Sequence, residues 1–325
     1  MVEPSDFKTQ YHQLRDEISK VIVGHDIIKD HVLLCLFAGG NVLLEGVPGI
    51  GKTQFVKTLS QALSLTFSRI QFTPDLMPAD ILGMRMIHEN AEGGRSLVFQ
   101  PGPIFSQIVL ADEINRAAPK TQSALLEAMQ EHTVTVGNDT YSLSEPFFVI
   151  ATQNPIEHEG TYPLPEAQLD RFMMKLNFSL PSQEELVEIM NRTTEGFNAS
   201  IKTVLNASMI NDFRELIRNV IAAPPIKNYV ARLIISSHPE SEYASKYSKK
   251  YVRYGSSPRG CQSILLTAKV LALTEGRYHV SYADVMSVAK PCLRHRLLRN
   301  FDGETEDIST DKIIEDILSS TPREG

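Results

Sequence analysis

Apolar side chains recur at Phe7, Tyr11, Leu14, Ile18 and Ile22, three or four residues apart, which sets them on one face and predicts a helix over 6–23. Gly24 breaks that run. A second helical stretch, 27–38, ends at Gly39-Gly40, where a left-handed turn costs little. The period then changes. Residues 41–45 are a short apolar run suited to a strand covered on both faces. Similar runs at 66–72, 107–111, 146–152 and 172–178, with helical stretches between most of them, predict a parallel α/β sheet.

Two segments interrupt this alternation. Residues 83–100 carry Glu92-Gly93-Gly94 between alternating runs, and residues 133–143 carry Val134, Val136 and Tyr141 around Gly137-Asn138-Asp139. Both predict hairpins inserted into the sheet fold. Past Leu180-Pro181 the strand signal disappears, and 182–190, 208–221, 228–237, 260–274, 282–300 and 311–319 read as helices. The expected organisation is therefore an α/β unit over 1–181 followed by an all-helical unit over 182–325.

Composition adds exclusions. The chain has 325 residues, 42% of them hydrophobic and 22% charged, enough apolar material for one large or two ordinary domains. Its 32 basic and 39 acidic side chains give a net charge of −7, so no general positive field exists to hold a polyanion, which disfavours nucleic acid as a partner. Cys35, Cys261 and Cys292 are odd in number and widely spaced, a pattern against a disulfide framework or a structural zinc site. The first ten residues are polar, and the most apolar stretch, 32–44, is interrupted by Gly39, Gly40 and Asn41, so a soluble cytoplasmic chain without a membrane span is expected.

The candidate chemistry begins at the end of the first strand. Gly46-Val47-Pro48-Gly49-Ile50-Gly51-Lys52-Thr53 fits GxxxxGK[ST] between a predicted strand and a predicted helix, with Gln54 next in that helix. Phosphate oxygens need backbone N–H donors at close approach; the glycines remove side chains, Lys52 adds a cation, and Thr53 offers a hydroxyl to Mg²⁺. The apolar run 108–111 ends in Asp112 and Glu113, where one carboxylate can hold the water shell of Mg²⁺ and the other can polarise a water aimed at the γ-phosphate. The run 147–152 ends in Gln153-Asn154-Pro155, amides that suit orienting such a water or, equally, an ordinary turn. Together these features predict an ATP and Mg²⁺ site.

Phosphate loop, paired acids and polar strand end, in this order, resemble the AAA+ ATPases. The stretch from Leu110-Ala-Asp-Glu-Ile-Asn-Arg to Glu131, with Ala151-Thr-Gln-Asn-Pro155 and Leu164-Pro-Glu-Ala-Gln-Leu-Asp-Arg-Phe172, resembles the MoxR family in particular, over roughly residues 24–298. The resemblance implies a P-loop AAA+ fold, a five-stranded parallel sheet with hairpin inserts followed by a helical lid. It implies Walker A roles for Lys52 and Thr53, Walker B roles for Asp112 and Glu113, and sensor 1 for Asn154. Arg171 matches the position of an arginine finger, with Arg116 a further interface candidate, and Arg259 in Ser257-Pro-Arg-Gly260 matches sensor 2, acting in cis or in trans. The two hairpins correspond to the helix 2 and pre-sensor 1 inserts. Against the resemblance, His25 stands where the family usually has glutamine near the adenine; a surface histidine capping the next helix is the alternative reading.

What the resemblance implies for function is an ATP-hydrolysing homo-oligomeric ring, a hexamer, that remodels or activates client proteins, some of them with a von Willebrand factor A domain. Rival readings are a magnesium-chelatase-like motor, an MCM-like nucleic-acid motor, and a nucleotide-gated scaffold without turnover. The second of these predicts basic hairpin tips, whereas these tips carry Gly137-Asn138-Asp139 and, on the first hairpin, Glu89 and Glu92 against Arg95.

Overall fold

A computed structural model describes residues 3–47, 49–89, 95–155, 160–194 and 199–323. Its first part runs α1 (Pro4–Ser19), α2 (Asp26–Ala38), β1 (Val42–Glu45), α3 (Lys52–Ala62), β2 (Phe67–Gln71), α4 (Pro78–Leu82), β3 (Gly83–Glu89), β4 (Arg95–Pro101), β5 (Ile108–Asp112), α5 (Pro119–Glu131), β6 (Thr133–Val136), β7 (Asp139–Ser142), β8 (Phe148–Gln153), α6 (Glu166–Leu169) and β9 (Met174–Asn177). There follow α7 (Gln183–Thr194), α8 (Ala207–Arg218), α9 (Pro224–Ser236), α10 (Lys246–Tyr251), β10 (Val252–Tyr254), α11 (Pro258–Thr274), α12 (Tyr282–Leu293), β11 (Leu298–Arg299), α13 (Phe301–Thr305) and α14 (Thr310–Ser320).

The five apolar runs pair in parallel in the order β2-β5-β8-β1-β9. Register aligns their C-terminal ends: Gln71 lies opposite Asp112, Leu44 opposite Thr152, and Glu45 opposite both Gln153 and Asn177. In parallel α/β sheets this carboxyl edge is where ligands bind, so strand pairing alone gathers the phosphate loop, the acid pair and the polar amides. The sheet has two apolar faces. Val42, Leu44, Leu110 and Ile150 join α1, α2, α3 and the helices beyond residue 204 in one core. Leu43, Val109, Ala111 and Val149 pack on the other side with Ile81, Ile104 and the buried face of α5.

That first core crosses the division expected near 181. Phe7 of α1 meets Phe37 of α2 and Phe213 of α8 edge-on, at centroid distances of 5.0 and 5.1 Å. The later part is helical, as expected, but includes a short antiparallel pair, β10 with β11. The helix read over 282–300 ends at Leu293, and the chain then turns through Arg294, His295 and Arg296. Among the described residues, no helix is long and apolar enough to cross a membrane.

Both hairpins form. The turn Glu92-Gly93-Gly94 lies outside the described residues, as does Pro48 of the phosphate loop. Ile87 and Leu97 face each other across the first hairpin and are 68% and 67% exposed, with Met84, Met86 and Val98 also exposed. A hairpin that merely covered the sheet edge would bury these side chains; this one stands off the sheet. Its base is tied to the second hairpin, with Phe99 stacked on Tyr141 at 4.1 Å and Arg85 paired with Asp139.

Candidate functional site

The phosphate loop leaves β1 at Gly46, where a Cβ would come within 2.4 Å of the Phe178 carbonyl, so only glycine fits against β9's exit. Gly49 and Gly51 take left-handed backbone at φ 81° and 89°, and Gly51 caps α3. Among the described residues, none comes within 4 Å of where a Cβ on either glycine would sit, which leaves room for a ligand at the loop. Lys52 is buried, and its Nζ donates to the Gly46 carbonyl at 2.7 Å. Burial pulls its ammonium below the ordinary lysine range, opposed by the carboxylates of Asp112 and Glu113.

A cleft of about 410 Å³ lies above the carboxyl edge of the sheet, lined by Gly49, Gly51, Lys52, Thr53, Gln54, Arg69, Asp112, Glu113 and Asn154. The residues read from sequence as phosphate, metal, base and amide groups therefore meet in one place. Asp112 is buried at the end of β5; its Oδ1 accepts from Thr152 Oγ1 at 2.6 Å, and its Oδ2 accepts from Arg69 Nη2 and Nε at 2.7 and 3.1 Å. Glu113 takes left-handed backbone at φ 57°, and its N–H donates to Thr152 Oγ1 at 2.8 Å. Its carboxylate Oε2 accepts from Gln71 Nε2, at the end of β2, and from Arg116 Nη1, each at 2.9 Å. Asn154, buried, follows directly on β8. The Thr53 hydroxyl and the Asp112 carboxylate are hard oxygen donors facing a cleft with room for water, the donor set Mg²⁺ prefers.

A second cavity of about 300 Å³ adjoins the loop and is mainly apolar. It is lined by Val21, Ile22, Val23, His25, Gly49, Ile50, Gly51, Gln54, Phe178, Leu180, Pro181, Leu186, Ile189 and Thr193. His25 sits at the N-cap position of α2 without a side-chain capping bond, so the capping role fails. Its ring instead packs on Phe178 at a centroid distance of 4.2 Å, and its Nε2 is buried without a hydrogen-bond partner among the described residues. Burial lowers its pKa, with Glu185 opposing, so the neutral imidazole is favoured. An apolar slot of this size beside a phosphate loop suits a planar base.

Arg171 and Arg259 are not among the residues lining the cleft of their own chain. Arg171 Nη1 donates to the Leu126 carbonyl of α5 at 2.8 Å. The neighbouring carboxylate, Asp170, accepts instead from Arg296 Nε and Ser257 Oγ, both at 2.8 Å, and has Arg259 Nη1 at 3.6 Å. Arg259 Nη2 also donates to Gln130 of α5 at 3.3 Å. Arg171 and Arg259 thus both rest on α5, a platform that Asp170 braces through Arg259.

Sequence reasoning missed Arg69, Gln71, Thr152 and Phe178. Arg69 and Gln71 are two apart on β2 and so share a face; polar residues on one face at the carboxyl end of a parallel strand were the available signal.

Comparison with known proteins agrees with this geometry. Residues 41–174 match the model of the ATPase family associated with various cellular activities (AAA), and residues 244–317 match an AAA lid domain. The protein named Chaperone MoxR1 from Mycobacterium tuberculosis is 42% identical over 305 residues, covering 94% of this chain and 80% of that protein. Protein MoxR from Methylorubrum extorquens is 30% identical, covering 90% and 89%. A crystal structure of a candidate ATPase from Cytophaga hutchinsonii superposes with a TM-score of 0.92 at 40% identity, covering 98% of this chain and 96% of that one. Sheet order, phosphate loop, acid pair and these relatives lead to one conclusion: the chain belongs to the MoxR family of AAA+ ATPases.

Proposed function

We propose that this chain hydrolyses ATP within a homo-oligomeric ring, a hexamer, and uses the resulting motion to remodel or activate client proteins in the cytoplasm. The observation that carries the reading is a separation. Lys52, Thr53, Asp112, Glu113 and Asn154 share one cleft, whereas Arg171 and Arg259 stand together outside it, so a second copy would complete the site.

In this scheme Gly46, Val47, Pro48, Gly49, Ile50, Gly51, Lys52, Thr53 and Gln54 bind the nucleotide, with its base in the slot lined by His25 and Phe178. Thr53 and Asp112 hold Mg²⁺, which when bound supplies charge neutralisation on the phosphate oxygens. Glu113 accepts a proton from the attacking water, Asn154 orients that water, and a neighbour's Arg171 and Arg259 meet the charge that develops on the γ-phosphate. Arg116, already engaged with Glu113, links the base to the subunit interface. The division into a nucleotide-binding unit, 1–181, and a lid, 182–325, belongs to the same proposal. The exposed apolar first hairpin makes the client a protein surface, a von Willebrand factor A domain being the family's expected kind.

The test is turnover per subunit across protein concentration for wild type, Glu113→Gln and Arg171→Ala, with mass measured in the same buffer. Turnover should rise with assembly. Glu113→Gln should lower it about 10²–10⁴-fold while ATP still binds, and Arg171→Ala should lower it about 10³-fold or more only in the assembled state. Turnover independent of concentration would refute completion in trans.

A further inference from the structure

The metal-side acid is already occupied by a cation of the chain's own. Asp112 is a buried carboxylate, and a buried charge is costly unless paired. Arg69, one strand away on β2, meets that need with two N–H groups on Oδ2, at 2.7 and 3.1 Å, while Thr152 takes Oδ1. Lys52, the other cation in the cleft, is spent on the Gly46 carbonyl at 2.7 Å. Mg²⁺ keeps most of its water shell in near-ideal octahedral geometry, so a shell anchored on Asp112 needs the oxygen that Arg69 holds. The two cations compete for one acceptor.

Resting on the ATP and Mg²⁺ reading above, we propose that Arg69 is the resident counter-cation of Asp112 and yields its place there when the metal–nucleotide complex binds. Two features make the exchange easy. Arg69's side chain is 46% exposed, so the guanidinium has an open path into solvent without disturbing the core. Its Nη2 also donates to Gln71 Oε1 at 2.6 Å, which holds the released side chain near β2. The same Gln71 donates through Nε2 to Glu113 at 2.9 Å. Through Gln71, the arginine that leaves the metal side stays linked to the amide that grips the base. Arg69 is a positioning residue in this account, since it sets how strongly the metal favours nucleotide binding.

The experiment measures binding without turnover. The affinity of a mant-labelled, non-hydrolysable AMP-PNP is determined by fluorescence in excess Mg²⁺ and again in EDTA, for wild type, Arg69→Met and Arg69→Lys, each checked by its thermal melt. Removing the competitor should raise the ratio of the EDTA Kd to the Mg²⁺ Kd about tenfold in Arg69→Met, the scale of one charge-assisted pair, and less in Arg69→Lys, with the EDTA Kd little changed. An unchanged ratio in both variants would overturn the proposal. So would a ratio that rises only because the EDTA affinity weakens while the Mg²⁺ Kd fails to tighten, which would make Arg69 a phosphate ligand. If Arg69→Met does not fold, Arg69→Lys, which forfeits the bidentate geometry, decides alone by the same two criteria. Failure of the wild type to bind the analogue at all would instead remove the nucleotide reading on which this one rests.

Discussion

Asp170 supports the arginine platform, and its removal should be felt first as stability. Arg296 has a buried side chain whose Nε donates to Asp170 Oδ1 at 2.8 Å and whose Nη2 donates to the Asp170 and Phe172 carbonyls at 3.0 and 2.7 Å. Its Nη1 donates to the Met173 carbonyl at 3.2 Å. In Asp170→Ala the guanidinium keeps these carbonyls and loses its counter-charge, while Ser257 loses its acceptor. Breaking a buried pair by removing one partner costs about 3–5 kcal/mol, and the retained carbonyls argue for the lower end, about 3 kcal/mol. For 325 residues unfolding together, an entropy of about 2.1 cal/mol/K per residue turns 3 kcal/mol into a fall in Tm of roughly 4–5 °C. Arg171→Ala, which forfeits one hydrogen bond to the Leu126 carbonyl, should shift Tm by about a degree. The assay is a thermal melt of both variants at matched concentration, supported by urea unfolding. If Asp170→Ala melts within a degree of wild type, Asp170 does not carry the platform and the reasoning fails.

Gly51→Ala should weaken nucleotide binding and cost about 1–2 kcal/mol, because φ 89° is strained for any residue with a Cβ; a melt together with a nucleotide titration checks both. His31 should impose a pH dependence, since burial lowers its pKa to about 4. The unfolded chain then binds the extra proton first, so His31's contribution is complete above about pH 6.5 and is lost as pH falls toward 4, up to about 3 kcal/mol. Urea midpoints between pH 7.5 and 5 should therefore fall less steeply in His31→Gln, and parallel curves would contradict this. Ile87→Ser with Leu97→Ser should leave Tm within about a degree, both side chains being exposed, while lowering client-stimulated turnover; a large loss of stability would mean that the hairpin packs on something within the chain.

The fold was most legible where burial on both faces leaves little choice of residue. Strands β1, β5 and β8 are uninterrupted apolar runs because helices cover both sides of the sheet, and their ends point to Lys52, Asp112 and Asn154. Ribbon β10-β11 is too short to establish a period of two. Helix α12 was read too long because Leu297 and Leu298 continue an apolar pattern, whereas Arg296 leaves the helix to reach Asp170, a partner 126 residues away in sequence. Long-range pairing of that kind has no local signature. It also hid Arg69 and Gln71, which on a strand look like a solvated face until pairing with β5 lets their side chains reach Asp112 and Glu113. The MoxR resemblance was explicit in the Asp112–Glu131 and Ala151–Pro155 stretches and told nothing of the Arg69 contact.

The aromatic contacts among Phe7, Phe37 and Phe213 bear on where this molecule can yield mechanically. Uncovering each of these rings costs about 1.5–3 kcal/mol, so parting α8 from α1 and α2 would consume an energy comparable to the stability of a whole domain. Helix α7 differs: it has no buried residue, so moving it would uncover little apolar surface, yet it contributes Leu186, Ile189 and Thr193 to the wall of the apolar slot beside the phosphate loop. On the reading proposed above, the helix held least firmly in this subunit is the one that would lie against the nucleotide's base.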